Sequence, residues 1–194
     1  MHTTLRTLAA ALALAPLGAL AQPTVPAAGG LRPVFGASVT AGGDTLVTVR
    51  YTDGSTQNVS SGGLLQLFAG GELDTGAMVV QATLGYHVND TNASNGSVKF
   101  SRYPVELLGL AKVGEHWRLG GGLRKALNAR ITSSGAARGP VGGADFDSEL
   151  GLVLQVERLF GAGSVFGRVV GEKYSLGREK IDGNHLGIGV SYRF

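Results

Sequence analysis

Along residues 184–194, large apolar side chains occupy every second position: Leu186, Ile188, Val190, Tyr192 and Phe194. His185, Gly187, Gly189, Ser191 and Arg193 fill the positions between. A period of two is that of a strand with one apolar face and one polar or small face. The same alternation recurs upstream and predicts strands over 34–51, 56–71, 77–89, 98–113, 116–131, 145–159, 164–175 and 184–194. Residues 77–89 carry it most cleanly, with Met78, Val80, Ala82, Leu84, Tyr86 and Val88 on one face. Thr52-Asp53-Gly54-Ser55 predicts the first hairpin turn, since Asp-Gly between alternating runs is a strong hairpin signal. Gly42-Gly43 predicts a bend or bulge in the long first strand. A short turn over 72–75 and a tight one at Gly114-Glu115 alternate with polar loops over 90–97, 132–144 and 176–183.

Each segment is long enough to cross a bilayer, which takes roughly 9–11 tilted residues. Residues 1–21 read as a secretory signal, with Arg6, an apolar run from Leu8 to Ala15, and Ala19-Leu20-Ala21 as the cleavage pattern. No later run of about 20 apolar residues predicts a membrane helix. An exported chain of this kind enters a membrane only as a closed barrel. Residues 22–32, rich in Pro and Gly, read as a periplasmic linker, and 33–194 as one barrel domain.

The ending with Val190, Tyr192 and Phe194 resembles the C-terminal signature of bacterial outer-membrane β-barrels. With the eight segments, the chain resembles the OmpA/OmpX-type barrel of Gram-negative bacteria over nearly all of 33–194. D-F-D-S-E (145–149) and Y-P-V-E-L-L (103–108) are similar to stretches of small barrels of this kind. The resemblance implies an all-β, eight-stranded antiparallel up-and-down transmembrane barrel in the cell outer membrane. It also implies that Val190, Tyr192 and Phe194 form the signal read by the barrel assembly machinery. Short turns would face the periplasm and longer loops the outside.

Composition changes this picture little. The chain has 194 residues, no cysteine, 32 glycines and a formal net charge of +3. The mild, unclustered basic excess argues against nucleic acid. Lack of cysteine excludes disulfides, thiolate metal sites and a lipid-anchored N-terminal Cys. Aromatics, at 7%, are fewer than full girdles need.

The polar faces carry the candidate chemistry. They predict a lumen charge cluster of Arg102, Glu106, Lys112, Arg118, Arg124, Glu149, Glu157, Arg168 and Glu172, with Glu106 beside Arg124 and Arg118 near Glu157. Asn128 falls on the same face as Arg118 and Arg124, and Phe146 on the face of Leu150. An eight-stranded barrel is just wide enough for its side chains to fill it, so the expected lumen is plugged by charge. Arg130 and Arg138, near the longest loop, are candidates to meet lipopolysaccharide, and loop 133–143 is expected to be replaceable by a short turn.

No catalytic, metal or cofactor site is expected. Asp74-Thr75-Gly76 has no second copy to complete an aspartic-protease pair and consists of turn formers. Asp145, Asp147 and Glu149 lack a calcium-loop pattern. His87, His116 and His185 are not followed at two residues by the Ser of outer-membrane deacylases. The function expected is a structural or surface-interaction role in the envelope, by a monomer in contact with lipids and lipopolysaccharide. A narrow porin is the alternative, and a lipid A-modifying enzyme the second alternative.

Overall fold

The computed structural model describes residues 30–50, 54, 56–93, 96–135, 137 and 142–194. The expected signal segment, most of the linker, turn residues Thr52, Asp53 and Ser55, and Arg138 lie outside the described residues. The strands are β1 (Leu31–Gly42), β2 (Thr45–Arg50), β3 (Thr56–Ser60), β4 (Leu64–Asp74), β5 (Met78–Ala93), β6 (Gly96–Val113) and β7 (Trp117–Gly135). They continue with β8 (Ala144–Ser148), β9 (Leu150–Phe160), β10 (Gly163–Gly171), β11 (Lys173–Leu176), β12 (Glu179–Asp182) and β13 (His185–Arg193).

Eight of these close a ring in which every pair is antiparallel: β1, β4, β5, β6, β7, β9, β10 and β13. The last strand pairs with the first, with Ala37 opposite Val190 and Val34 opposite Arg193. The result is the eight-stranded up-and-down barrel that the alternation predicts. Closure leaves no unpaired edge, the condition for a sheet to stand in hydrocarbon. Among the described residues no helix is long and apolar enough to cross a membrane.

The outward face is the apolar one. Leu67, Leu84, Leu107, Leu119, Leu152, Leu154, Leu186 and Ile188 all stand exposed around the wall. In water such a belt would be an aggregation surface; in lipid it is the favourable solvent contact. One end of the barrel carries both Leu31 and Phe194 with the short connections 75–77, 114–116 and 161–162. The other end carries the extensions. There β8, β11 and β12 continue the sheet past the ring, and β2 and β3 form a separate hairpin. The Asp44 N–H and the Ser61 hydroxyl donate to the Asp182 carbonyl, and the Asp182 N–H donates to the Asp44 carboxylate, tying that hairpin to the end of β12.

Several expected boundaries change. The expected first strand breaks at Gly42-Gly43, where φ reaches +134° and +74°, values that only glycine adopts without strain. The 90–97 segment is a continuation of the β5–β6 ladder, with Asn92 opposite Ser97 and Ala93 opposite Gly96. Backbone pairing across a tight turn needs no apolar side chain, so a polar run can continue a ladder as well as loop. β7 likewise extends to Gly135. The expected sixth strand breaks at Glu149, whose N–H bonds the Lys173 carbonyl at 2.9 Å instead of continuing the barrel ladder. That break reverses the phase, so Phe146 is buried and not on the lipid face with Leu150.

The same reversal occurs in β7 at Asn128, which the polar face had placed in the lumen. It is exposed, and its φ of +49° marks a bulge residue. Between Ser101/Arg130 and Tyr103/Leu127 the register slips by one. Asn tolerates this left-handed conformation better than most side chains.

Candidate functional site

The inward positions below the extensions build two ionic tiers. Along β4 they run Gln66, Phe68, Glu72, and along β10 Ser164, Phe166, Arg168. Each strand thus supplies one polar group to each tier, with a phenyl ring between. The Phe68 and Phe166 rings meet at 5.9 Å between centroids. Glycines opposite make room: a Cβ at Gly36 would collide with the Phe68 ring and one at Gly189 with the Phe166 ring.

The tier nearer the termini joins Glu72, Arg118, Glu157, Ser164, Ser191 and Arg193. Arg193 Nε donates to Glu72 at 2.8 Å, and its Nη2 donates to Glu157. Arg118 Nη1 lies 3.2 Å from Glu72 and 3.5 Å from Glu157. Two guanidinium groups thus face two carboxylates, and the tier is neutral.

The tier nearer the extensions is richer in cations. Arg124 donates from Nε to Glu172 at 2.8 Å, from Nη1 to Gln66 at 3.1 Å, and also to Glu106. Arg168 donates to Glu106 at 3.1 Å and to Gln155 at 2.7 Å. Arg102 Nε stands 3.7 Å from Glu172. All these charged side chains are buried. Such groups are stable only when each charge finds partners, because a desolvated charge left alone is strongly unfavourable.

Two histidines complete this tier. Arg124 Nη2 approaches His87 Nδ1 at 3.1 Å. Its Nε2 lies 2.9 Å from Thr40 Oγ1 and 3.3 Å from Arg102 Nη2, so guanidinium donors face the ring from both sides. His185 donates from Nδ1 to the Gly183 carbonyl at 2.8 Å. The ligand atoms of His87, Glu172 and His185 lie within 4.8 Å of one another, close enough to hold a metal ion. The donor set does not suit one, because guanidinium nitrogens of Arg102 and Arg124 already approach both ring nitrogens of His87.

Above this tier the lumen turns apolar. Phe100 meets Phe146 and Tyr174 edge-on, each at 5.6 Å. Val59, Val98, Ala126, Ala129, Ile131 and Ile181 join them, with Leu46, Val47 and Val49 of the β2–β3 hairpin packed against the group.

Of the expected lumen cluster, Arg102, Glu106, Arg118, Arg124, Glu157, Arg168 and Glu172 are buried together inside the ring. Glu106 stands opposite Arg124, and Arg118 opposite Glu157. Lys112 and Glu149 are not there. Lys112 lies at the rim, where water lets its flexible stem turn outward, and pairs with Asp74 at 2.7 Å. Glu149 sits at the exposed break after β8 and pairs with Lys180. Asp147, on the far side of that break, is exposed as well.

Asp74 belongs to a turn: its carboxylate accepts the Gly76 N–H at 2.9 Å. Hydrogen bonding from Lys112, followed by that from Gly76, holds its carboxyl below the usual aspartate range. Val190, Tyr192 and Phe194 face outward, and the Phe194 ring stacks on Phe35 at 5.4 Å. Arg130 is exposed beside Asp145 at 3.5 Å.

Sequence reasoning missed Gln66, Glu72, Gln155, His87, His185 and Arg193 as members of the tiers. Their inward phase was available from the period of two, but only charges in mid-strand were counted, and Glu72 was assigned to a turn.

No family model and no curated protein matches the chain. Solved structures do. Ail, the attachment invasion locus protein of Yersinia pestis, is similar at 13% identity and a TM-score of 0.47, over 86% of this chain and 99% of that one. Its complex with the heparin analogue sucrose octasulfate matches at 13% identity and a TM-score of 0.47, over 84% and 97%. The outer membrane protein AlkL in lipid bilayers is similar at 14% identity and a TM-score of 0.41, over 91% and 95%.

Proposed function

We propose, from the premise that this chain is an eight-stranded barrel of the outer membrane, that it is a closed, non-conducting envelope protein acting through its outer end. The observation that carries this reading is that buried side chains fill the lumen at two levels. Two ionic tiers cross-link the strands from inside, and an apolar layer of Phe100, Phe146 and Tyr174 lies between them and the outer end. A conducting pore needs a continuous polar path; the apolar layer leaves Asn89 and Ser60 as polar groups at its level, and this filling supports a closed lumen.

The barrel wall offers lipid contact, and the β2–β3 hairpin with the β8–β11–β12 sheet offers a polar surface for lipopolysaccharide or other external partners. Rigid scaffolds commonly carry recognition on such extensions. The terminal strand presents Val190, Tyr192 and Phe194 to the assembly machinery, and the protein works as a monomer. A catalytic role finds little support, since His87 and His185 point into the lumen among guanidinium groups and away from lipid.

The test is solute uptake by vesicles reconstituted with the full chain. No swelling in sugars or small ions above that of empty vesicles is expected, together with altered envelope integrity in a deletion strain. Size-dependent swelling would replace this reading with the narrow porin. Altered lipid A mass on deletion would replace it with the enzyme.

A further inference from the structure

One side chain breaks the pattern of the outward face. Along β9 the outward positions read Leu150, Leu152, Leu154, Val156, Arg158 and Phe160, a guanidinium inside an apolar row. Arg158 stands opposite Trp117 on β7 and Val165 on β10. Its guanidinium carbon lies 5.3 Å from the Trp117 ring centre and 5.4 Å from that of Phe160. Both rings are themselves about half exposed, at 44% and 57%. Phe160 is the last residue of β9, which puts this group at the lower edge of the lipid belt, on the side of the short turns.

Apart from Glu115, exposed in the turn before Trp117, the side-chain carboxylates at this end are committed elsewhere. Asp74 pairs with Lys112 at the rim, and Glu72 and Glu157 pair inside the lumen with Arg118 and Arg193. Among the described residues none forms an ion pair with Arg158. A guanidinium held over two aromatic rings keeps its N–H fork for an acceptor in its own plane, and a phosphate matches that fork in two-pronged fashion. The flanking Val156 and Val165 are exposed and apolar, suited to acyl chains.

We propose that Arg158, Trp117 and Phe160 form a binding site for the phosphate of a phospholipid in the periplasmic leaflet, with an anionic headgroup preferred. The inference rests on the transmembrane barrel and not on the closed lumen. Folded full-length protein in detergent is titrated with phosphatidylglycerol and followed by native mass spectrometry. Trp117, the single tryptophan of the chain, gives a second readout through quenching by phosphatidylglycerol brominated close to the headgroup. Heat-shifted gel mobility confirms that each variant is folded.

Arg158→Gln should weaken retention about tenfold, the scale of one charge-assisted hydrogen bond, and reduce quenching. Arg158→Lys should fall between, and Arg130→Gln, at the opposite end, should match wild type. Inorganic phosphate should not displace the lipid. Equal retention by wild type and Arg158→Gln overturns the proposal. So does displacement by inorganic phosphate, which would mark a free-anion site, or a change of oligomeric state in Arg158→Gln, which would mark a contact between copies.

Discussion

Within the membrane belt the chain is apolar outside and holds its charges inside, among buried clusters such as Leu108, Leu110, Val153 and Val170; in the extensions above, it is apolar inside and polar outside. Glu106 and Phe100 show the contrast on one strand: both point inward from β6, one into an ionic tier and the other into an aromatic layer. Outward on the same strand, Leu107 gives way to Lys99. The difference follows from solvent. Lipid outside rewards apolar side chains there and leaves the charges to the lumen, whereas water outside restores the order of a soluble domain. β7 crosses between the two regimes with a phase change at Asn128, and β8 and β9 do so at Glu149.

The contrast can be broken from the lumen side most severely. Glu106→Ala strips Arg124 and Arg168 of a shared carboxylate and should destabilise the barrel by about 3–5 kcal/mol. The temperature at which the gel band shifts to the unfolded position reads this directly. An unchanged transition would mean that water screens each charge independently.

Phe100→Ala attacks the other regime. It removes both edge-on ring contacts and should cost the outer layer about 3 kcal/mol. The loss should be local: protease cleavage of the β2–β3 hairpin rises while the barrel band keeps its mobility. Collapse of the whole barrel would show that the two regions are one cooperative unit.

The hinge between regimes can be sharpened at Asn128. Asn128→Val places a β-branched residue at positive φ and should lose about 1–2 kcal/mol in urea unfolding, while Asn128→Gly should be nearly neutral. Equal losses for both would point to the Asn side chain and not its backbone.

The smallest effect belongs to the rim. Lys112→Ala should cost less than about 1 kcal/mol, as exposed ion pairs do. Because the folded Asp74 carboxyl titrates below its unfolded value, its contribution is complete above the ordinary aspartate pKa. It fades as pH falls toward the folded value. A wild-type advantage over Lys112→Ala that grew with acid would contradict the pairing.

The barrel was legible because lipid imposes a strict period of two on each crossing strand, and the terminal strand shows it without interruption. The same rule misled where strands end or break. Lys112 keeps the phase of Glu106 but lies past the point where the lumen encloses it, and Glu149 keeps a phase that the backbone abandons. Asn128 carried a usable hint, since Asn is, after Gly, among the residues most tolerant of a left-handed bulge position. Gln66 and His87 share the inward phase of the period of two, but their place in an ionic tier shows only through partners on distant strands.

The closed lumen is the central claim, and conductance across a planar bilayer tests it most directly. Wild-type protein should show no steady current, and Glu106→Ala should either unfold at lower temperature or admit a current that the wild type lacks. A steady ohmic conductance through wild-type barrels, unchanged by Glu106→Ala, would contradict the account.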